Sequence, residues 1–224
     1  MGDNFNNTVF MAPLVTSFSS ARKIYLSIVL LFITVSAFAQ KPKDYLIYHE
    51  DTTGKQRYGF VFTNVAGDAV LRLDTAQYYF CTTDTMYYFA VVGLTHKRGW
   101  WAIDRDEKIL FQVYNTSYGE PSPDEVTDGM IRITDDSGRI GFANYRGEIV
   151  IKPAFEVASE FYHGHAIIGK KCKKVLWCCE GENEDKHYCN DCSLTGYINK
   201  KGQILEMGKL TLEQMAKKLK WPTN

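Results

Sequence analysis

Downstream of residue 58 the chain alternates short apolar stretches with polar turns. Gly59-Phe60-Val61-Phe62-Thr63-Asn64-Val65-Ala66-Gly67 returns as Gly141-Phe142-Ala143-Asn144-Tyr145-Arg146-Gly147 and as Gly196-Tyr197-Ile198-Asn199-Lys200-Lys201-Gly202. A fourth version starts at Gly99-Trp100. Each copy runs from glycine and an aromatic to Asn or Asp, and an apolar pair follows: Val70-Leu71, Ile109-Leu110, Ile149-Val150 and Ile204-Leu205. Alternation interrupted by a turn predicts β-hairpins. Asn at the first turn position and Gly at the fourth suit a type I turn whose glycine is left-handed. The second copy has Asp104 and Glu107 there, which predicts a wider or strained turn. Asp51-Thr52-Thr53-Gly54 and Asp135-Asp136-Ser137-Gly138 predict further hairpin turns ahead of two of the strands.

The glycine-aromatic starts lie 40, 42 and 55 residues apart. From Gly129 to Gly141 is 12 residues and from Gly164 to Gly196 is 32, so the last interval holds an insertion of 20 and the underlying period is 35. Periods of this size mark repeat architectures. The stretch from 140 to 170, including Pro153-Ala154-Phe155-Glu156-Val157-Ala158-Ser159-Glu160-Phe161-Tyr162-His163-Gly164-His165-Ala166, and the stretch from 196 to 205 resemble the WG-repeat family. The resemblance weakens toward the N-terminus. It implies an all-β binding or scaffolding module of exported bacterial proteins, with no catalytic motif in the repeat. Its defining positions here are Gly59, Gly99, Trp100, Gly141, Phe142, Gly147, Gly164, Gly196, Tyr197 and Gly202.

One apolar face per unit cannot be buried alone, so neighbouring units must stack. The expectation is an all-β fold of stacked antiparallel β-hairpin repeats over 40–208, in an open, curved array, with a propeller-like arrangement as the alternative. Leu212, Met215, Ala216 and Leu219 fall at helical spacing, with Thr211 and Gln214 as a capping box and Pro222 beyond. A short C-terminal helix within 209–224 is expected to cap the open edge of the last repeat.

Ahead of the repeats, Arg22-Lys23 precedes 16 uncharged residues, 24–39, ending Ala37-Phe38-Ala39. This pattern predicts a signal peptide over 1–39, cleaved before Gln40. The apolar run is short for a span of about 20 residues. Met11 is an alternative start to Met1. The whole chain carries 26 Lys+Arg and 26 Asp+Glu. Removing Arg22, Lys23 and Asp3 leaves 24 cations and 25 anions. That balance lacks the cationic excess of a nucleic-acid binder. Contact with a membrane is expected only through the cleaved signal, and the mature chain is expected in the periplasm or outside the cell.

Five of the six cysteines sit in the insertion, 171–193: Cys172, Cys178, Cys179, Cys189 and Cys192. In an exported chain they read as disulfides of an extended hairpin, Cys172 with Cys192 and Cys178 or Cys179 with Cys189, leaving one thiol free or for Cys81. The rival is a zinc site built on Cys189-x-x-Cys192 with Cys172, Cys178, Cys179 or His187. Redox catalysis by Cys189 and Cys192 would need a helix where a strand is expected. His163-Gly164-His165 reads as a loop bend. Glu180, Glu182, Glu184 and Asp185 lack the spacing of a calcium loop. Tyr78-Tyr79-Phe80 and Tyr87-Tyr88-Phe89 suggest facing strands packed in the core, or a surface for sugars or peptide; Trp100, Trp101 and Trp177 would matter if they lined one face.

Phosphate-loop, nucleophile-elbow and HExxH motifs are absent from the sequence. No cofactor is expected. The leading expectation is a non-catalytic binding or scaffold protein of the bacterial envelope, whose partner is a protein or an envelope polysaccharide. The alternatives are a zinc-stabilised module and a hydrolase of envelope polymers with two carboxylates.

Overall fold

A computed structural model describes residues 44–50, 58–116, 122–178 and 187–221. The predicted signal segment and the 51–54 turn lie outside them. The first copy is the antiparallel meander β1 (Leu46–Glu50), β2 (Tyr58–Thr63) and β3 (Ala69–Asp74), followed by short strands β4 (Tyr78–Cys81) and β5 (Thr85–Met86). The second copy is β6 (Ala90–Leu94), β7 (Lys97–Ile103) and β8 (Ile109–Val113). The third is β9 (Met130–Thr134), β10 (Ile140–Asn144) and β11 (Ile149–Phe155), with β12 (Val157–Ala158) after it. The fourth is β13 (His165–Cys178), β14 (His187–Asn199) and β15 (Ile204–Gly208), and the helix α1 (Leu212–Lys218) ends the fold. The strands form three open sheets, ordered β3-β2-β1-β5, β11-β10-β9-β8-β7-β6-β4 and β12-β13-β14-β15. No sheet closes among the described residues, and copies two and three share one seven-stranded sheet through β8–β9 rather than forming separate four-stranded blades, so the arrangement is an open one and not propeller-like.

The turn chemistry repeats from copy to copy. Gly67, Gly147 and Gly202 adopt φ of 88°, 83° and 76°, and their N–H groups donate to the carbonyls of Asn64, Asn144 and Asn199 at 3.0, 2.9 and 2.9 Å. Each Asn Oδ1 accepts the amides two and four residues on: Ala66 and Asp68, Arg146 and Glu148, Lys201 and Gln203. Asp135 makes the same pair of bonds with Ser137 and Arg139. So does Asp104, with Asp106 and Lys108. The second copy's turn is therefore no wider than the others. Glu107 takes the glycine position at φ 59°, which costs a residue with a Cβ about 1 kcal/mol. The hydroxyl of buried Tyr78 donates to its carboxylate at 2.9 Å and holds it there.

It is the turn, rather than the leading glycine, that the copies share. Gly141 and Gly196 stand three residues before the turn Asn, whereas Gly59 and Gly99 stand five before it. A Cβ at Gly141 or Gly196 would collide with the carbonyl of Ile151 or Glu206 on the next strand. Val61 and Trp101 occupy the matching positions in the first two copies.

Period-2 alternation explains how the copies stack. In β6, Ala90 and Val92 enter one cluster and Val91 another; in β7, Ile103 and Trp101 enter the first, Ala102 and Trp100 the second. The first cluster joins Phe62, Leu71 and Leu73 of copy one to copy two. The second joins Phe111 and Val113 of copy two to Ile131, Ile133 and Ala143 of copy three. A third joins Ile140, Phe142 and Phe155 of copy three to Ala166, Ile168 and Ile198 of copy four. The two middle copies thus bury both faces, one against each neighbour. The turns interlock as well: a Cβ at Gly147 would meet Leu110 of copy two, and one at Gly202 would meet Ile151 of copy three.

Two expectations are corrected. Tyr87-Tyr88-Phe89 is not a strand; β4 pairs with β6 through Tyr78↔Leu94, Phe80↔Gly93 and Cys81↔Val92, because the chain turns back at β5 to pair with β1. The helix does not cover an edge. It packs on β13 and β14, the middle strands of their sheet, and buries Met215 on the face where Ile167 and Thr195 are also buried. On that face α1, rather than another copy, packs against the sheet. The Thr211–Gln214 capping box is present, with Gln214 N–H to Thr211 Oγ1 at 3.1 Å and Thr211 N–H to Gln214 Oε1 at 2.9 Å.

Candidate functional site

The insertion is an extension of β13 and β14 beyond the sheet that contains them. Edge strand β12 last pairs at Val157↔Gly169, and β15 begins at Thr195↔Gly208. Past these points β13 and β14 continue as a two-stranded ribbon, paired through Lys173↔Asp191, Val175↔Cys189 and Leu176↔Tyr188 to Cys178↔His187. Six residues of strand from Lys173 to Cys178 carry it about 20 Å outward.

A disulfide closes the ribbon's base. Cys172 and Cys192 are directly opposed in the register and joined, as the hairpin reading expected. The bridge lies over Gly169, where a Cβ would collide with both sulfurs. Lys171 sits at φ 52°, twisting β13 where it leaves the sheet. The Glu156 carboxylate accepts the amides of Cys172 at 2.8 Å and Lys171 at 3.1 Å. Those two bonds hold its pKa below the ordinary glutamate value. Disulfide, carboxylate and glycine together make a fixed joint between sheet and ribbon.

The second expected staple is not formed as read. Cys189 stands opposite Val175, three residues before Cys178 and four before Cys179, because the register that opposes Cys172 to Cys192 runs on unchanged to that point. Cys189 is an exposed free thiol, and Cys81 is free as well. Burial pushes the Cys81 thiol up to about 11, which keeps it protonated at neutral pH. Cys179, the Cys178 and Trp177 side chains, and the acidic tip from Glu180 to Asp185 lie outside the described residues. The disulfide removes Cys172 and Cys192 from any set of thiolate metal ligands. Among the described residues no group of three or more His, Cys, Asp or Glu is placed to hold a metal ion.

Each face of the ribbon mixes apolar and polar pairs: Leu176–Tyr188 lies on the side of Lys174–Asn190, and Val175–Cys189 on the side of Lys173–Asp191. Leu176 and Tyr188, cross-strand neighbours, are 53% and 60% exposed, a pair that in the stacked body would be covered. Lys173 and Asp191 form an exposed ion pair at 3.7 Å. Cross-strand apolar and opposite-charge pairs of this kind contribute only about 0.2–1 kcal/mol each. The ribbon therefore depends on its joint, and its apolar pair is available to a partner.

The bend at His163-Gly164-His165 is a tight turn. Tyr162 and His165 exchange backbone hydrogen bonds at 2.8 and 3.1 Å, with His163 and Gly164 at φ 48° and 81°. The His163 ring packs on Tyr162, and His165 packs on Tyr197. Asp128 ties this turn to the rest: it accepts Gly164 N–H at 2.6 Å and the Lys200 ammonium at 2.7 Å. Partial burial opposes the charge of its carboxylate, but these donors outweigh it and the pKa is lowered.

The sequence reading missed one buried polar cluster. Arg132 on β9 donates through N–H and Nε to Asp124 Oδ2 at 2.8 and 3.1 Å and through Nη2 to Asp124 Oδ1. It also donates to the Ala158 carbonyl at 3.2 Å and to Glu160 at 3.3 Å, and lies 4.5 Å over the Tyr114 ring. Burial works against the guanidinium charge, but the Asp124 bonds prevail and raise its pKa. Asp124 is itself buried. The cluster ties Tyr114 and Asp124, which lie between β8 and β9, to copy three. An Asp and an Arg eight residues apart give no sequence signal of their own.

With the geometry established, comparison with known proteins adds one finding. No curated protein matches the chain. Residues 140–171, running from β10 through β12 into β13, match the family model described as WG containing repeat, so the third copy is similar to a WG repeat.

Proposed function

We propose that this chain is an exported, non-catalytic binding protein of the bacterial cell envelope, in which stacked WG-like repeats supply a rigid body and the ribbon supplies the contact with a macromolecular partner. The observation that carries the reading is the ribbon: a β-hairpin extended about 20 Å past its sheet, pinned at its base by Cys172–Cys192, with Leu176 and Tyr188 exposed side by side. Exposed apolar pairs on a projecting element suit recognition better than stability. The charged and uncharged runs of residues 22–39 support export, and a disulfide is at home in an oxidising compartment.

Capture from envelope extract tests the reading. The exported chain is compared with a variant whose 174–190 segment is replaced by a two-residue Asn-Gly turn. The partner is expected with the first and lost with the second, while thermal unfolding of the body is unchanged; equal capture by both contradicts the proposal. Intact mass tests export separately, with the chain expected to begin at Gln40 and to lie about 2 Da below its fully reduced mass.

A further inference from the structure

The hairpin joining β6 and β7 carries a surface that shares no residue with the ribbon. Its tip, Thr95-His96-Lys97-Arg98, is exposed and borders a shallow depression of about 410 Å³ completed by Tyr79, Leu94 and Gly99. Thr95 fixes the tip to the preceding turn, its N–H donating to the Gln77 carbonyl and its hydroxyl to the Ala76 carbonyl, both at 2.9 Å. The Arg98 carbonyl accepts Trp101 Nε1 at 3.2 Å.

One aromatic ring beside this tip lies against the sheet rather than standing off it. A Cβ at Gly93 would meet Cζ, Cε1 and Cε2 of Tyr79 at once. The ring therefore lies flat on the glycine and turns its other face outward, with 53% of the residue exposed. Phe80 is 50% exposed and braced edge-on by Trp100 at 5.7 Å, and Trp100 Nε1 donates to Asn115 Oδ1 at 3.2 Å. The Lys97 ammonium stands 4.6 Å from the Trp101 ring centre. Two cations and a histidine line the depression, and none of its lining residues is Asp or Glu.

A ring held parallel to the sheet offers a π-face to the C–H face of a sugar, while neighbouring cations attract an acidic group. An acidic peptide would use the cations and leave the flat ring without a role. We infer that this shelf binds an anionic polysaccharide, one sugar ring stacking on Tyr79 and its acidic group pairing with Lys97 and Arg98. The inference names a ligand class for the binding protein proposed above and rests on that reading only in taking the chain to be a binder.

Calorimetric titration of the full exported chain with polygalacturonate tests it, with neutral dextran and polyglutamate as comparisons. Polygalacturonate is expected to bind more tightly than either. Tyr79→Ala should weaken it roughly 10-fold, Tyr79→Phe should preserve it, and the double variant Lys97→Gln, Arg98→Gln should weaken it and flatten its salt dependence. The ribbon-shortened variant should bind polygalacturonate as wild type does, so loss of envelope capture and loss of glycan binding are separable. Absence of polygalacturonate binding, equal binding of polyglutamate, or indifference to Tyr79→Ala in a variant with unchanged circular dichroism would overturn the inference.

Discussion

Strand β13 passes through two regions. At Ala166 and Ile168 it lies between β12 and β14 with both side chains buried under copy three. From Lys173 onward the same strand continues with β14 as its partner, with Lys173, Lys174 and Leu176 exposed and Val175 half-buried. The backbone pairing is identical in kind; what differs is what lies above and below it. In the body, inter-copy burial holds the strands, and the hairpin turns set their register. In the ribbon no neighbouring copy is available among the described residues, and covalent closure with one carboxylate at the base takes over. The lesson is that a repeat fold tolerates a long excursion where the excursion carries its own joint.

The largest effect should come from the body. Phe142 is fully buried between copies three and four and packs on Phe161 with ring centres 4.7 Å apart. Phe142→Ala is expected to destabilise the chain by about 3–5 kcal/mol in urea unfolding. A cost below about 1 kcal/mol would mean that the copies do not depend on each other. Asn144→Ala should cost about 1–2 kcal/mol in the same measurement, since the Arg146 and Glu148 amides lose their acceptor while remaining able to reach water.

How far these features were legible follows from their range. The turns were readable because Asn-x-x-Gly is a local geometric requirement, and so was the Cys172–Cys192 pairing, which needs only a symmetric hairpin. The common register was missed. Gly59 and Gly99 mimic Gly141 and Gly196 in the residues that follow them, and only counting back from the turn, five residues against three, separates them. The face that α1 covers was not legible, because periodicity places Met215 inward without saying against what. The Cys189 register was misjudged although it was legible: with Cys172 opposite Cys192, an antiparallel pair sets Val175 opposite Cys189. The aromatic shelf was glimpsed in Tyr79 and Phe80, but Tyr87 and Tyr88 were wrongly set opposite them.

Smaller effects belong to the ribbon. A bond closing 20 residues is worth up to about 3 kcal/mol when the reduced loop stays folded. Here the reduced ribbon can fray while the body remains intact, gaining in the native state much of the freedom it would gain on unfolding. Cys172→Ser with Cys192→Ser should therefore lower body stability by less than about 1 kcal/mol, yet abolish hydrogen-exchange protection from 173 to 176. Retained protection there would show that cross-strand pairs suffice. The smallest effect is at Glu156. Its pKa is lowered in the folded chain, so its contribution is complete above the ordinary glutamate value of about 4.3 and is lost as the pH falls through the lower folded value. Protection of the Lys171 and Cys172 amides should fade over that acid window in the wild type and be weak at neutral pH in Glu156→Gln.

The stack itself is tested most directly by nuclear Overhauser contacts between copies. Gly147 is expected to contact the Leu110 methyls, and Gly202 those of Ile151, each turn resting on the last strand of the copy before it. If both hairpins are formed in solution and neither contact is seen, the copies are folded but not stacked, and the account fails.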